Sequence, residues 1–336
     1  MFVGLMTVSL MLLSPPIAKA DPADLDAGGQ AFNRGDYAAA IREWMPLAEK
    51  GHIQAQYLLG QMYDDGKGVP EDDAVAVKWY RKAAEQGHVD AQYDLGSRYH
   101  VGMGVSYDPN EAAKWYRKAA EQGFAFAQHN LGVMYARGEG VPKDDAEAVR
   151  WYRKAAEQEH PEAQYSLGLM YARGKGVPED DAEAVRWYRK AAERGNAFAQ
   201  NNLGVMYDNG KGVPEDDAEA VRWYRKAAEQ GNASAQLNLG VMYARGEGVP
   251  EDDAEAVRWY RKAAEQGFTS AQYNLGVMYA RGEGVPEDYV RAYAWCNMAA
   301  AQGNERANKI KDALRLHMTA ADISEAQKLS AELEHI

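Results

Sequence analysis

Apolar residues recur along this chain inside a frame of fixed length. From Ala197 to Gly231, Ala199, Leu203 and Tyr207 fall four apart, and Ala220, Trp223, Tyr224, Ala227 and Ala228 follow a three-four rhythm. Both spacings place the apolar side chains on one stripe of an amphipathic helix. Between the stripes stand Gly210 and Gly212, suited to the left-handed backbone that ends a helix, and Pro214, which resists helix continuation. Asp216 then opens the second helix as its N-cap. Each frame is thus predicted to hold two helices joined through a glycine turn.

The frame repeats without insertion or deletion. Trp79, Trp115, Trp151, Trp187, Trp223, Trp259 and Trp295 are spaced 36 residues apart, and Trp44 lies 35 before the first. Leu59-Gly60, Leu95-Gly96, Leu131-Gly132, Leu167-Gly168, Leu203-Gly204, Leu239-Gly240 and Leu275-Gly276 keep the same period. A period of this size signals an array in which each unit buries its apolar face against its neighbours. The 336-residue length alone would suggest two compact domains; the repetition replaces that expectation with an all-α helix-pair solenoid. The Asp216 column is unbroken from Asp72 to Asp288, and Glu111, Glu147, Glu183, Glu219 and Glu255 stand three residues on. That spacing predicts capping boxes.

Three positions depart from the pattern. Glu159 replaces a helix-ending Gly, so a residue with a side chain is expected at positive φ, at about 1–2 kcal/mol. Pro46 interrupts the first Trp-bearing helix and predicts a kink or an early end. Cys296 replaces the Tyr of the last Trp-Tyr pair and is expected to be a small core residue. After Gly303 the repeat dissolves into two further helical stretches, Asn304 to His317 and Ala320 to Leu333, expected to cap the array.

At the other end, Phe2 to Leu13 is nearly all apolar, breaks at Ser14-Pro15-Pro16 and ends in Ala18-Lys19-Ala20. About 13 apolar residues fall short of the ~20 that a spanning helix needs. The segment reads as a signal peptide cleaved after Ala20, although no Lys or Arg precedes the apolar run. The expected location is periplasmic or secreted, without stable membrane insertion after cleavage. A net charge of −12 disfavours nucleic acid as a partner, and one Cys excludes an internal disulfide framework.

Taken together, the motifs A-x2-WYRKAAEQG, AQ-x2-LG-x2-Y and G-x-GV-x2-D resemble the Sel-1-like repeat family, relatives of the tetratricopeptide repeats. The resemblance covers about Ala55 to Gly303, with a weaker leading unit from Gly28 to Gly51. It implies about seven stacked antiparallel helix pairs in a right-handed superhelical solenoid, and a protein that binds other proteins rather than an enzyme. The expected organisation is a signal peptide over 1–20, an N-terminal helical cap or partial repeat over 21–54, seven repeats over 55–303 and C-terminal capping helices over 304–336.

On a helical wheel starting at Ala199, the recurrent Ala, Leu, Gly and Tyr positions span about 0° to 140°, and five variable columns lie opposite. In tetratricopeptide-like solenoids that opposite side of the first helix lines the concave groove. Its candidate partner-binding residues here are Tyr93, Phe126, His129, Arg137, Tyr165, Arg173, Phe198, Asn201, Arg245, Tyr273 and Arg281. Tyr offers area plus a hydroxyl, and Arg forks to carboxylates, which suits a protein or peptide partner. Plain solvation and dipole-complementing Arg at helix ends are the alternatives. Asn130, Asn202, Asn238 and Asn274 form a neighbouring ladder, placed either to hold a peptide backbone or simply in solvent.

The sequence offers no catalytic, cofactor or metal motif. The Gly-x-Gly-Val turns follow helices and lack the following Gly-Lys of phosphate loops. The His residues have no metal-ligand spacing, and neither Gly-x-Ser-x-Gly nor Ser-x-x-Lys occurs. The expected function is an extracytoplasmic interaction scaffold for a protein or peptide, modulating an envelope enzyme, a sensor or a host interaction. Peptidoglycan or carbohydrate binding is the alternative. A β-lactamase-like activity is implied only by a cysteine-rich subgroup of the family, whose per-repeat disulfides this chain lacks.

Overall fold

A computed structural model describes residues 22–333; the expected signal peptide, residues 1–20, lies outside the described residues. Eighteen helices and no strands are found among the described residues. The chain divides into two compact units, one ending at Ala155 and the other beginning at Ala156. In the first unit, α1 (Pro22–Asn33) pairs with α2 (Tyr37–Glu49), α3 (Ile53–Asp64) with α4 (Asp73–Glu85), and α5 (Val89–Val101) with α6 (Pro109–Glu121). There α7 (Ala125–Arg137) packs on the leading part of α8 (Asp145–Glu157), with Leu131 and Met134 in one cluster with Trp151.

In the second unit, α9 (Pro161–Ala172) pairs with α10 (Asp181–Glu193), and α11 (Ala197–Asp208) with α12 (Asp217–Glu229). The pairs α13 (Ala233–Arg245) with α14 (Asp253–Glu265) and α15 (Thr269–Arg281) with α16 (Tyr289–Ala301) follow. Then α17 (Glu305–Arg315) and α18 (Ala320–Leu333) both pack on α16. Within each unit the contacts run mainly between helices adjacent in the chain, the sequential pairing of an all-α solenoid.

The recurrent sequence positions have distinct physical duties. A Cβ on Gly60 would lie 2.5 Å from the Tyr80 ring, and one on Gly204 would lie 2.7 Å from Tyr224. The Gly of the Leu-Gly pair therefore lets the Tyr of the second helix lie flat on the first, and in the last repeat Gly276 makes the same room for Cys296. The second Gly of the turn works between repeats: Gly212 has φ 68°, and a Cβ there would meet the Asp181 carbonyl oxygen at 2.3 Å. This turn rests on the start of the preceding second helix.

Two further columns tie neighbouring repeats. The Gln after each core Ala is buried and donates to the end of the preceding helix, as in Gln56 to the Ala48 carbonyl at 2.9 Å and Gln236 to Ala228 at 3.1 Å. Where the next turn supplies a Gln, its own oxygen accepts from it, as in Gln230 to Gln200 at 2.7 Å; at Gln164 that position is Arg194 and the oxygen has no such donor. The Arg of WYR reaches forward, with Arg189 donating to the Tyr207 hydroxyl at 2.8 Å and Arg225 to Tyr243 at 2.9 Å. Such bonds satisfy polar groups that stacking removes from water.

The capping boxes form by half. Asp216 accepts from the Glu219 backbone N–H at 2.9 Å, and Asp180 from Glu183 at 2.9 Å. The Glu side chains do not return to the cap: Glu219 and Glu183 pair with Arg222 at 2.9 Å and Arg186 at 2.8 Å. The cap N–H is already taken, since Asp216 donates to the Tyr207 carbonyl at 3.0 Å.

At Pro46 the helix does not end; α2 continues to Glu49. The proline forgoes one backbone bond, its own to the Arg42 carbonyl, while buried Trp44 and Ala48 on either side hold the helix in place. Glu159 has φ 66°, the sole positive value outside Gly among the described residues. Cys296 is fully buried, and burial pushes its thiol up to about 12.

Candidate protein-binding face

In both units the variable face is carried by the first helix of each pair. In the first unit, Tyr93 on α5 is only 7% exposed, with Tyr116 at 5.7 Å, Phe124 at 5.1 Å and Phe126 at 6.2 Å between ring centroids. It belongs to the packing and offers little surface to a partner. Phe126 on α7 is exposed and covers it. His129, half-buried, lies 5.7 Å from the Tyr152 ring. Arg137 ends α7 in an exposed position, close enough to Tyr152 to favour ionisation of a phenol that burial pushes strongly up.

In the second unit, Tyr165 on α9 is half-buried, and Phe198 on α11 lies over it at 6.0 Å with 51% of its surface exposed. Asn201 is buried and accepts from the Asn238 amide of α13 at 3.2 Å. Tyr273 is half-buried against Cys296, Ala299 and Ala307. Arg173, Arg245 and Arg281 stand exposed at the carboxyl ends of α9, α13 and α15. Arg173 lies beside the hydroxyls of Tyr165 and Tyr188, and Arg245 beside that of Tyr260. Arg245 and Arg281 also approach Glu247 at 3.7 Å and Glu283 at 3.6 Å.

The Asn ladder is turned toward the chain itself. Asn130 is aimed at Tyr93 and Tyr116, Asn202 at Tyr165 and Tyr188, and Asn274 at Tyr260. All four ladder residues are half-buried, so their amides serve the stacking of repeats.

A charged cluster in the first unit has no counterpart in the sequence expectations. Arg98 occupies the column that holds Met62 and Met134 in the flanking repeats, and its side chain is 13% exposed. It pairs with Asp64 of α3 and with Asp73 of α4, the latter at 2.7 Å, while Tyr80 donates to Asp64 at 3.1 Å. Beside it, Asp94 replaces the ladder Asn. Burial, with Asp90 and Asp64 close by, raises its carboxyl to about 7 against the pull of the Tyr57 hydroxyl and Arg98. The available signal was a departure from column identity at Asp94 and Arg98.

Three first helices of the repeats are capped by imidazoles. Nδ1 of His52, His88 and His160 accepts the backbone N–H of Ala55, Ala91 and Ala163, each at 3.3 Å. Nε2 of His88 lies 3.0 Å from the Gln54 side-chain oxygen, which fixes the Nε2-protonated tautomer, and the ring stacks on Tyr57 at 4.4 Å. Burial lowers the pKa of His88, with Asp90 opposing. No cluster of metal-ligating groups is found among the described residues, nor a helix long and apolar enough to cross a membrane.

Comparison with known proteins places the chain. The Sel1 repeat profile matches residues 53–88, 89–124, 125–160, 161–196, 197–232, 233–268 and 269–304. A solved Sel1 repeat protein from Oxalobacter formigenes is 38% identical, with TM-score 0.70 over 85% of this chain and 86% of that one. A second, c5321, a protective antigen of uropathogenic Escherichia coli with an SLR fold, is 33% identical, with TM-score 0.59 over 90% of this chain and 82% of that one. The curated protein sequences give no match. Members of the family are generally protein-interaction scaffolds, typically without catalysis. Seven contiguous profile matches, arranged as the helix pairs described above, establish that the chain belongs to the Sel1 repeat family.

Proposed function

We propose that this protein is an extracytoplasmic scaffold that holds a protein or peptide on the variable face of its first helices. The observation that carries the reading is Phe198, 51% exposed over Tyr165, in a column where the following repeats place Ser234 and Ser270. Stacking does not require a large ring there, and an aromatic anchor beside Arg is a common composition for the centre of a protein interface. The Ala18-Lys19-Ala20 ending after an apolar run supports a periplasmic or secreted location. A role beside an envelope enzyme, a sensor or a host factor belongs to the same reading.

The test is affinity capture from envelope extracts with the full chain. Substituting Arg173, Arg245 and Tyr165 together by Ala is expected to abolish capture of the specific partner while the helical circular dichroism is kept. Unchanged capture by the folded variant overturns the assignment of this face.

A further inference from the structure

The second unit carries, on the same face, a contrast that narrows the chemistry of its ligand. Arg173, Arg245 and Arg281 stand in one column at the carboxyl ends of their helices, and Asn209 fills the remaining rung. The corresponding residues of the first unit are Asp65, Val101 and Arg137, whereas the column before the core Ala is acidic once in each unit, at Asp90 and Glu162. A chain of net charge −12 thus concentrates guanidinium groups along one edge of one unit.

These groups are lightly held. The side chains of Arg245 and Arg281 are each 65% exposed, and their loop glutamates are 41% and 40% exposed at 3.6–3.7 Å. Ion pairs of this kind contribute little, because water screens them and side-chain entropy opposes them. A carboxylate arriving in bidentate geometry on a surface already lined by tyrosines makes stronger, charge-assisted bonds. The guanidinium is therefore available for exchange from an intramolecular partner to a ligand.

We propose that the second unit binds an extended acidic peptide, its carboxylates on the Arg column and an apolar side chain against Phe198 and Tyr165. The inference rests on the peptide-binding reading above and adds the charge and spacing of the ligand. Neighbouring first helices are in direct side-chain contact, as Asn201 with Asn238 shows at 3.2 Å, which sets their axes about 8–10 Å apart. An extended chain advances roughly 3.3 Å per residue, so one rung corresponds to about three residues. Carboxylates at every third position then meet Arg245 and Arg281 in turn, while Asn209 is left to bond the backbone.

The test uses fluorescence anisotropy of the full chain with labelled synthetic peptides of about twelve residues. One peptide carries Glu at every third position with a Leu-Phe pair near its amino end. A second has Lys at the Glu positions, and a third has the same Glu count bunched at one end. The spaced Glu peptide is expected to bind at least tenfold tighter than either control, with affinity falling as salt rises. R245E/R281E is expected to lose that advantage and to favour the Lys peptide. Phe198→Ala is expected to weaken all three peptides, and thermal melts of every variant check the fold. Equal affinity for the Glu and Lys peptides, or indifference to R245E/R281E, overturns the acidic ligand; sensitivity to Phe198→Ala would then leave the peptide-binding face standing. Absence of binding by any peptide overturns the inference, and the extract capture described above decides separately whether the face has a protein partner.

Discussion

Replacing Arg98 by Met puts into the second repeat the residue that its neighbours carry at that position, yet it is expected to harm the protein. Arg98 is 13% exposed, and it neutralises Asp64, 19% exposed, and Asp73. Removing one member of a buried ion pair leaves an uncompensated charge at about 3–5 kcal/mol, and partial exposure of Asp73 brings the expected cost here to roughly 2–4 kcal/mol. Asp64→Ala should cost less, roughly 1–2 kcal/mol, because Arg98 keeps Asp73 at 2.7 Å. The double variant restores an apolar pairing that the second unit already uses, with Ala172 and Met206 in the same two columns. It should lie within about 1 kcal/mol of the parent, the remainder being the Tyr80 hydroxyl that loses Asp64. Denaturant unfolding followed by Trp fluorescence measures the four proteins. Hydrogen exchange of α4 and α5 supplies the local values, since repeat arrays open piecemeal. A double variant as damaged as the sum of its singles, or an Arg98→Met cost below about 1 kcal/mol, would refute the claim that charge compensation holds these residues together.

Asp94 gives a prediction of opposite pH sense to most carboxylates. Its folded pKa of about 7 exceeds the ordinary value, so its neutral form favours folding at low pH and that contribution is lost as pH rises from about 4 through 7. Asp94→Asn should match the parent below pH 4 and exceed it at pH 8 by up to about 4 kcal/mol; melting curves that stay parallel across this range would exclude the effect. His88 acts in the other direction. Its pKa is lowered in the folded state, so stability present above the ordinary imidazole range declines as pH falls through it. His88→Asn, which copies Asn196 and Asn232, should flatten the acid limb and keep the Ala91 amide protected at pH 5 in hydrogen exchange. Glu159→Gly with Arg194→Gln should raise the melting point of the second unit by about 2–4 °C. The pair relieves the positive φ and returns a donor to the buried Gln164 oxygen, which has no partner; a lower melting point would count against this. Cys296 should resist alkylation at pH 8 in the native chain, and labelling without denaturant would contradict its burial.

The helix pairs were legible because the sequence states the same core seven times. Ala, Leu, Gly and Trp hold their columns, and the structure buries Ala199, Leu203 and Trp223 accordingly. The Gln column was equally regular but silent, because Gln is ordinarily a surface residue and its role appears only when the preceding helix end is placed beside it. The face was legible by column and illegible by exposure. A wheel drawn for one helix puts Tyr93 and Tyr165 in equivalent places, but Phe124, the N-cap of α7, and Phe126 in its first turn close over Tyr93. At Tyr165 the equivalent cover comes from the Phe198 ring, and Tyr165 stays half-buried.

Variation in such an array divides into two kinds by where its partner lies. A residue that changes at an interface between repeats must be matched about one period away, since stacking brings those positions together. Arg98 answers Asp64, 34 residues earlier, and Arg194 answers Glu159 at 2.6 Å, 35 residues earlier. These substitutions are internally balanced, so packing alone accounts for them. Phe198, Arg245 and Arg281 differ: the ring is half exposed, and the guanidinium groups meet loop glutamates of their own repeats in solvent. Arg245 and Arg281 pair within their own repeats rather than one period away, and Phe198, although it lies over Tyr165 of the preceding repeat at 6.0 Å, keeps half of its surface in solvent. The proposed partner would meet these exposed groups first, and for that reason the functional proposal rests on them rather than on the more polar and more buried cluster around Arg98.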